Sequence, residues 1–369
     1  MKTGKRRLAA FAVVAATMLL ALVGVAAPAW AEEGSATPHL PVNDNKVTIT
    51  STLTMNKNAV EPNAEFGYSI APAETSELAS TSNNMPVSAG VPGGATLPSS
   101  SVNFSAQGLH SQDNADGITK TITAPLNVSL DTSKFTAPGI YRYKITQTPP
   151  PLDGLNVTYK ELFLDVYVEN AENGGSGYVV NGCTLLSDKA SSGRKAAGFA
   201  NKYATHKLTI TKVVKGNQGD KNKDFRFSVS LNGAAGETYK YVTVKKDGTS
   251  TPEAVVKSGS TVSVNLRDGD SVTFYGLSSE DTYAVTEDDY KTKEGYETSY
   301  KIGETGNETK SNILLAQGIG TSDTTVTFTN TKDVTVPTDV IRTVVPYAAI
   351  VAFAAVMGVV FFRPRRNRR

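Results

Sequence analysis

The sequence predicts an all-β protein built from two tandem β-sandwiches. From Val42 to Lys332, short segments rich in Val, Thr, Tyr and Phe alternate apolar with polar residues, with Gly, Asn, Asp, Ser and Pro clusters between them. That two-residue period belongs to half-buried strands, and no segment in this region holds the 3.6-residue period of an amphipathic helix. Segments also recur in order. Lys46-Val-Thr-Ile-Thr-Ser51 returns as Lys207-Leu-Thr-Ile-Thr-Lys212, and Asn63-Ala-Glu-Phe66 as Asn222-Lys-Asp-Phe225. Tyr141 to Gln147 returns as Thr282 to Glu287, and Gly198-Phe-Ala-Asn201 as Thr327-Phe-Thr-Asn330. Two related domains follow, 42–204 and 205–334, each of sandwich size.

The N-terminus opens on Lys5, Arg6 and Arg7, continues as an apolar run from Leu8 to Ala27, and reaches Ala29-Trp30-Ala31. A basic stretch, an apolar stretch and a small-x-small site make residues 1–31 a removable export signal, so the mature chain is expected to begin at Glu32. At the other end, residues 344–362 are apolar apart from Pro346, Tyr347 and Gly358. A helix of that length reaches about 28 Å, enough to cross a bilayer. The arginines from Arg363 to Arg369 then keep the tail in the cytoplasm and the body outside.

The formal charge of +2 comes from the two ends. Without their ten basic residues and Asp339, 27 basic residues face 34 acidic ones, a net of −7, which argues against a nucleic-acid binder. The single cysteine, Cys183, rules out an intramolecular disulfide and, with no thioester motif around it, reads as a passive thiol. Histidines 39, 110 and 206 are too scattered for a metal site, so neither metal nor cofactor is expected. Residues 76–116, rich in Ser, Asn, Gly and Pro, read as a long decorated loop.

Strand parity isolates one chemical constellation. In the second domain Leu208, Ile210, Lys212 and Val214 share a face, as do Tyr283, Val285 and Glu287, and Val326, Phe328 and Asn330. Three polar residues therefore point into one apolar core. Burial disfavours charge, which moves the lysine toward a neutral nucleophilic amine and the glutamate toward a neutral acid. Lys212 can then attack the side-chain amide of Asn330 while Glu287 polarises it and shuttles protons, releasing ammonia and leaving an isopeptide bond. The rival reading is a buried Lys-Glu pair hydrogen-bonded to Asn330.

Lys207-Leu-Thr-Ile-Thr-Lys212, Lys223-Asp-Phe-Arg-Phe227, Tyr283-Ala-Val-Thr-Glu-Asp-Asp-Tyr290, Phe328-Thr-Asn330 and Val336-Pro-Thr338 resemble the sortase-assembled, T-antigen-type backbone pilins of Gram-positive bacteria. The resemblance implies Ig-like domains of the CnaB type, with Lys212 and Asn330 as the cross-linked pair and Glu287 as the catalytic acid. It also makes residues 336–369 a sorting signal. Sortase would cleave at Val336-Pro337-Thr338-Asp339, after Thr338, although valine and aspartate stand where leucine and glycine are usual. Lys195, six residues before Asn201, stands at the place of the family's intermolecular acceptor, with Lys189 and Lys202 as competitors.

The first domain departs from this pattern. Ser51 replaces the lysine and Gln147 the acid, and Asn201 alone remains, so a neutral hydrogen-bonded trio without a cross-link is expected. The resulting reading is a structural backbone pilin and not an enzyme. Its expected partners are a class C-type pilin sortase, other copies of itself, minor pilins and cell-wall peptidoglycan, and its expected location is the cell-surface pilus. The alternative is a wall-anchored or minor pilin adhesin that presents residues 76–116 to a host surface ligand.

Overall fold

The computed structural model describes residues 40–79, 81–82, 85–171, 177–190, 194–334 and 338–361. The export signal, Val336 and Pro337, and the arginine tail lie outside them. The first part of the chain comprises β1 (Lys46–Asn56), β2 (Glu65–Pro72), β3 (Thr81–Ser82), β4 (Met85–Ala89), β5 (Ala95–Thr96), β6 (Ser101–Asn103) and β7 (His110–Asp113). It continues with β8 (Thr119–Leu130), β9 (Gly139–Thr148), β10 (Leu155–Val157), β11 (Glu161–Asn170), β12 (Tyr178–Leu186) and β13 (Gly198–Tyr203). One sheet runs β10-β13-β1-β8-β5, with β7 also on β8; the facing sheet runs β12-β11-β9-β2-β6. Between them lies a core that includes Val47, Ile49, Leu53, Phe66, Leu126, Ile145, Leu164 and Phe199.

The second part comprises β14 (His206–Lys215), β15 (Phe225–Asn232), β16 (Thr238–Val244), β17 (Ala254–Lys257), β18 (Thr261–Leu266), β19 (Ser271–Leu277) and β20 (Thr282–Glu287). After the one-turn helix α1 (Lys291–Glu294) come β21 (Glu297–Ile302), β22 (Ile313–Gly318) and β23 (Thr324–Thr331). Sheets ordered β17-β16-β19-β14-β23-β21 and β18-β15-β20-β22 enclose a second core of Leu208, Phe227, Phe274, Val285, Phe328 and their neighbours. The fold is thus all-β, with two sandwiches in tandem.

In each sandwich the first and last strands are parallel neighbours, β1 with β13 and β14 with β23. Gly216 closes the second of these pairs. At φ +92° it turns the chain directly over the end of β23, where an added Cβ would lie 2.2 Å from the Lys332 carbonyl.

Residues 76–116 are not the long loop that composition suggests. They supply β3 to β7, and Val87, Ala95, Val102 and Phe104 are buried. β4 runs parallel to β9 along Ile140–Arg142, beyond the end of the β2 pairing at Tyr143. Leu78 and Ala79 pack with Val87, Ile140 and Tyr167 on the outer face of that sheet. Strand β11 is therefore covered on both faces, and its unbroken buried run from Leu162 to Val168 follows.

Helix α2 (Thr338–Phe361) begins within the expected cleavage motif, at Thr338 and Asp339. Its side chains are described for residues 347–359. Among the described residues no helix is long and apolar enough to cross a membrane.

Candidate functional site

Lys212, Glu287 and Asn330 come from β14, β20 and β23, and all three are fully buried. They bridge the two sheets, since β20 lies in one and β14 and β23 in the other. Lys212 Nζ donates to Asn330 Oδ1 at 2.8 Å and lies 3.2 Å from Glu287 Oε1. The Phe225 ring lies beneath the amine, 4.2 Å from Nζ to its centroid, and Phe225 is itself held edge-on by Tyr290 and Tyr296. The main chain of Glu287 is clamped from β20's neighbour: its N–H donates to the Asn312 carbonyl and its carbonyl accepts from Asn312 Nδ2, each at 2.8 Å.

Burial governs the electrostatics. Desolvation pulls the Lys212 ammonium down to about 8, the negative charge of Glu287 opposing the shift, and desolvation raises the Glu287 carboxyl above its ordinary range. Burial thus weakens the charged form of both groups. Hydrogen bonding is incomplete. Both Glu287 carboxyl oxygens and Asn330 Nδ2 are buried with no aligned hydrogen-bond partner among the described residues, a costly state for an arrangement meant only to hold.

The first sandwich builds the same place differently. Ser51, Gln147 and Asn201 are all buried, and a fourth residue that sequence reasoning missed, Tyr68, stands between them. Ser51 Oγ and Tyr68 Oη are 2.6 Å apart, and Tyr68 donates to Gln147 Oε1 at 3.0 Å. The phenol proton goes to a carbonyl that can only accept, so Ser51 donates to Tyr68. Gln147 Nε2 then donates to Asn201 Oδ1 at 2.8 Å, and Asn201 Nδ2 returns to Gln147 Oε1 at 3.3 Å. Burial pushes the Tyr68 phenol to about 12, so it keeps its proton at neutral pH. Tyr68 faces Gln147 across β2 and β9 as Phe227 faces Glu287 across β15 and β20. The hydroxyl gained there compensates for the amine lost at Ser51. A signal existed in the aligned segments, where Tyr68 replaces Phe227.

Lys195 is half-buried in the connection between β12 and β13, where it forms a β-bridge with Leu186. Lys189 lies in the same connection with its Nζ on the Ser76 carbonyl at 3.2 Å, and Lys202 is exposed on β13. Cys183 is fully buried and bridged to Leu40, and burial pushes its thiol up to about 12.

A family model described as a domain of unknown function (DUF7601) matches residues 206–332. A pilin of Streptococcus pyogenes serotype M1 is 29% identical over 343 residues, 88% of this chain and 92% of that protein. The crystal structure of the major pilin from Streptococcus pyogenes aligns with a TM-score of 0.52 and 25% identity, covering 79% of this chain and all of that one. The chain resembles the major pilins. The pilus tip adhesin Cpa of Streptococcus pyogenes shares 34% identity over 136 residues, 36% of this chain and 18% of the adhesin. These relatives support a pilin backbone role and a place in a cell-surface pilus, and they point to no catalytic family.

Proposed function

We propose that the chain is a backbone pilin that locks its second sandwich with a self-formed bond between Lys212 and Asn330 and is polymerised by a pilin sortase. One observation carries the first half. Lys212 Nζ is seated against the Asn330 carboxamide, and the nitrogen that the reaction must expel, Nδ2, is a buried donor with no aligned hydrogen-bond partner among the described residues. Attack by the neutral amine on the amide carbon forms the new C–N bond. Collapse of the adduct breaks the bond to Nδ2, and Glu287 carries the proton from Nζ to the departing nitrogen, which leaves as ammonia. The reaction removes the orphaned donor and relieves the buried charge.

In polymerisation, the peptide bond after Thr338 is exchanged for an amide to Lys195 Nζ of another copy, and the fragment beginning at Asp339 departs with a free amine. The apolar run at residues 344–362 and the arginine tail would hold the precursor at the membrane for this step. Minor pilins and peptidoglycan complete the fibre. In the adhesin alternative the exposed part of residues 76–116, which includes β7, would meet the host ligand, while β4 lies against β9 on the outer sheet face.

Intact mass spectrometry of residues 32–338 tests the bond. A deficit of one ammonia is expected, absent in Glu287→Ala and Lys212→Ala; no deficit in the parent would leave a buried polar network and nothing more. Covalent ladders in cell-wall extracts, with Thr338 and Lys195 found in one branched peptide, test the polymer.

A further inference from the structure

Arg142 lies on the outer face of the β12-β11-β9-β2-β6 sheet, directly opposite Asp165 on β11, and both are fully buried. Four of its five N–H donors are engaged. Nε donates to Asp165 Oδ1 at 2.6 Å and Nη2 to Oδ2 at 2.8 Å. Nη1 donates to two main-chain carbonyls from separate segments, Glu77 at 3.0 Å and Lys189 at 2.7 Å. An apolar pair of similar volume could fill this space at no loss of stability, but it could not grip two carbonyls.

Each gripped segment has a second fastening. Glu77 forms an ion pair with Lys144 at 2.7 Å on the same sheet face, and Lys189 Nζ reaches the Ser76 carbonyl. Lys189 belongs to the connection that carries Lys195. The base of that connection is closed by Ser187 N–H to the Arg194 carbonyl and Ala196 N–H to the Leu185 carbonyl, both at 2.9 Å. The amine-bearing segment is therefore tied to the sheet at its base and, through Arg142, at Lys189.

We propose that Arg142 and Asp165, with the strap at residues 74–79, are positioning residues for the acceptor amine of Lys195. They fix the connection between β12 and β13 so that an acyl group on the sortase meets the amine in one place. The inference rests on the assignment of Lys195 as acceptor. Its advantage is geometric: attack on an enzyme-bound acyl group needs a nucleophile held in a narrow range of approach.

The test uses the full-length chain co-expressed with a pilin sortase. The paired change Arg142→Met with Asp165→Leu keeps the buried volume but removes both carbonyl grips. Lys144→Met loosens the strap from its half-exposed side without touching the buried pair. We expect the paired variant to polymerise at least tenfold less and Lys144→Met several-fold less. Both should retain the parent's deficit of ammonia and exchange amide hydrogens faster across residues 187–197. Wild-type ladders from both variants, or unchanged exchange in that segment, would overturn the proposal. If the paired variant does not fold, Lys144→Met decides alone. Lys195→Arg separates the two claims: ladders that persist in it defeat the acceptor assignment, whatever the other variants do.

Discussion

Asn201 and Asn330 occupy the same register position in their sandwiches. Asn201 faces Leu53, two residues beyond Ser51, and Asn330 faces Val214, two residues beyond Lys212. One backbone frame thus holds two chemistries. In the second sandwich it brings together an amine, an acid and an amide, with polar atoms that lack an aligned hydrogen-bond partner among the described residues. In the first it holds four neutral groups, all of them hydrogen-bonded.

Glu287→Gln keeps the shape of the second site and removes its proton shuttle. The variant should retain its ammonia. Loss of a cross-link spanning 118 residues should cost the second sandwich about 4 to 5 kcal/mol on the chain-entropy account. Denaturant unfolding of parent and variant, followed by a probe in that sandwich, measures the difference.

The rate of bond formation should be bell-shaped in pH. The reactive form, neutral Lys212 with protonated Glu287, carries the same single proton as the ion pair, so its share is greatest between the two titrations of the pair. Above about 8, where Lys212 loses its proton, the pair is left with none, and the rate should fall tenfold per pH unit. Below the raised titration of Glu287 a second proton blocks the amine and the rate should fall again. Denatured, uncross-linked chain refolded at set pH and timed by mass gives the profile. A rate that keeps climbing past pH 9 would contradict a role for the acid.

The first site should accept the chemistry of the second. Ser51→Lys, Tyr68→Phe and Gln147→Glu together would recreate the trio opposite Asn201, with phenylalanine restored where Tyr68 now fills space. The triple variant should lose a second ammonia. Ser51→Lys alone should not, because no acid is present to carry the proton, and it buries an amine without a partner charge.

Cys183 should resist alkylation in the folded chain at neutral pH, because its thiol is buried and titrates near 12. It should label promptly once the first sandwich is unfolded. Labelling under native conditions would place Cys183 in contact with solvent.

The strands and the second site were legible because long, regular alternation fixes which side chains face inward. A charge on the apolar parity then identifies itself, as Lys212 and Glu287 do. The same rule applied to β11 would have found Asp165, which shares parity with Phe163 and Tyr167. It was hidden because β11 is covered on both faces, so its apolar run shows no alternation. The strands within residues 76–116 escaped for another reason. At two to five residues each, they are too short for a period; β4 to β7 take their order from pairing with β2, β8 and β9, and β3 from β4. Tyr68 was missed because nothing within its own strand shows that its phenol reaches across to a distant glutamine.

The position of Lys195, three residues before β13, bears on how a fibre of such subunits would carry a pull. β13 passes into β14 through Ala204 and Thr205 alone. With Thr338 of one copy joined to Lys195 of the next, as proposed, tension would arrive at Lys195, run along β13 into β14, cross at Lys212 to Asn330, and leave toward Thr338. Residues 40–194 would stand beside that line of force. The first sandwich would feel load only as shear on β13, which six parallel pairs with β1 and the tie from Asn201 to Gln147 resist. A covalent lock there would shorten nothing that stretches, which gives a mechanical reason why neutral hydrogen bonds suffice in the first sandwich and why the second would need the proposed bond.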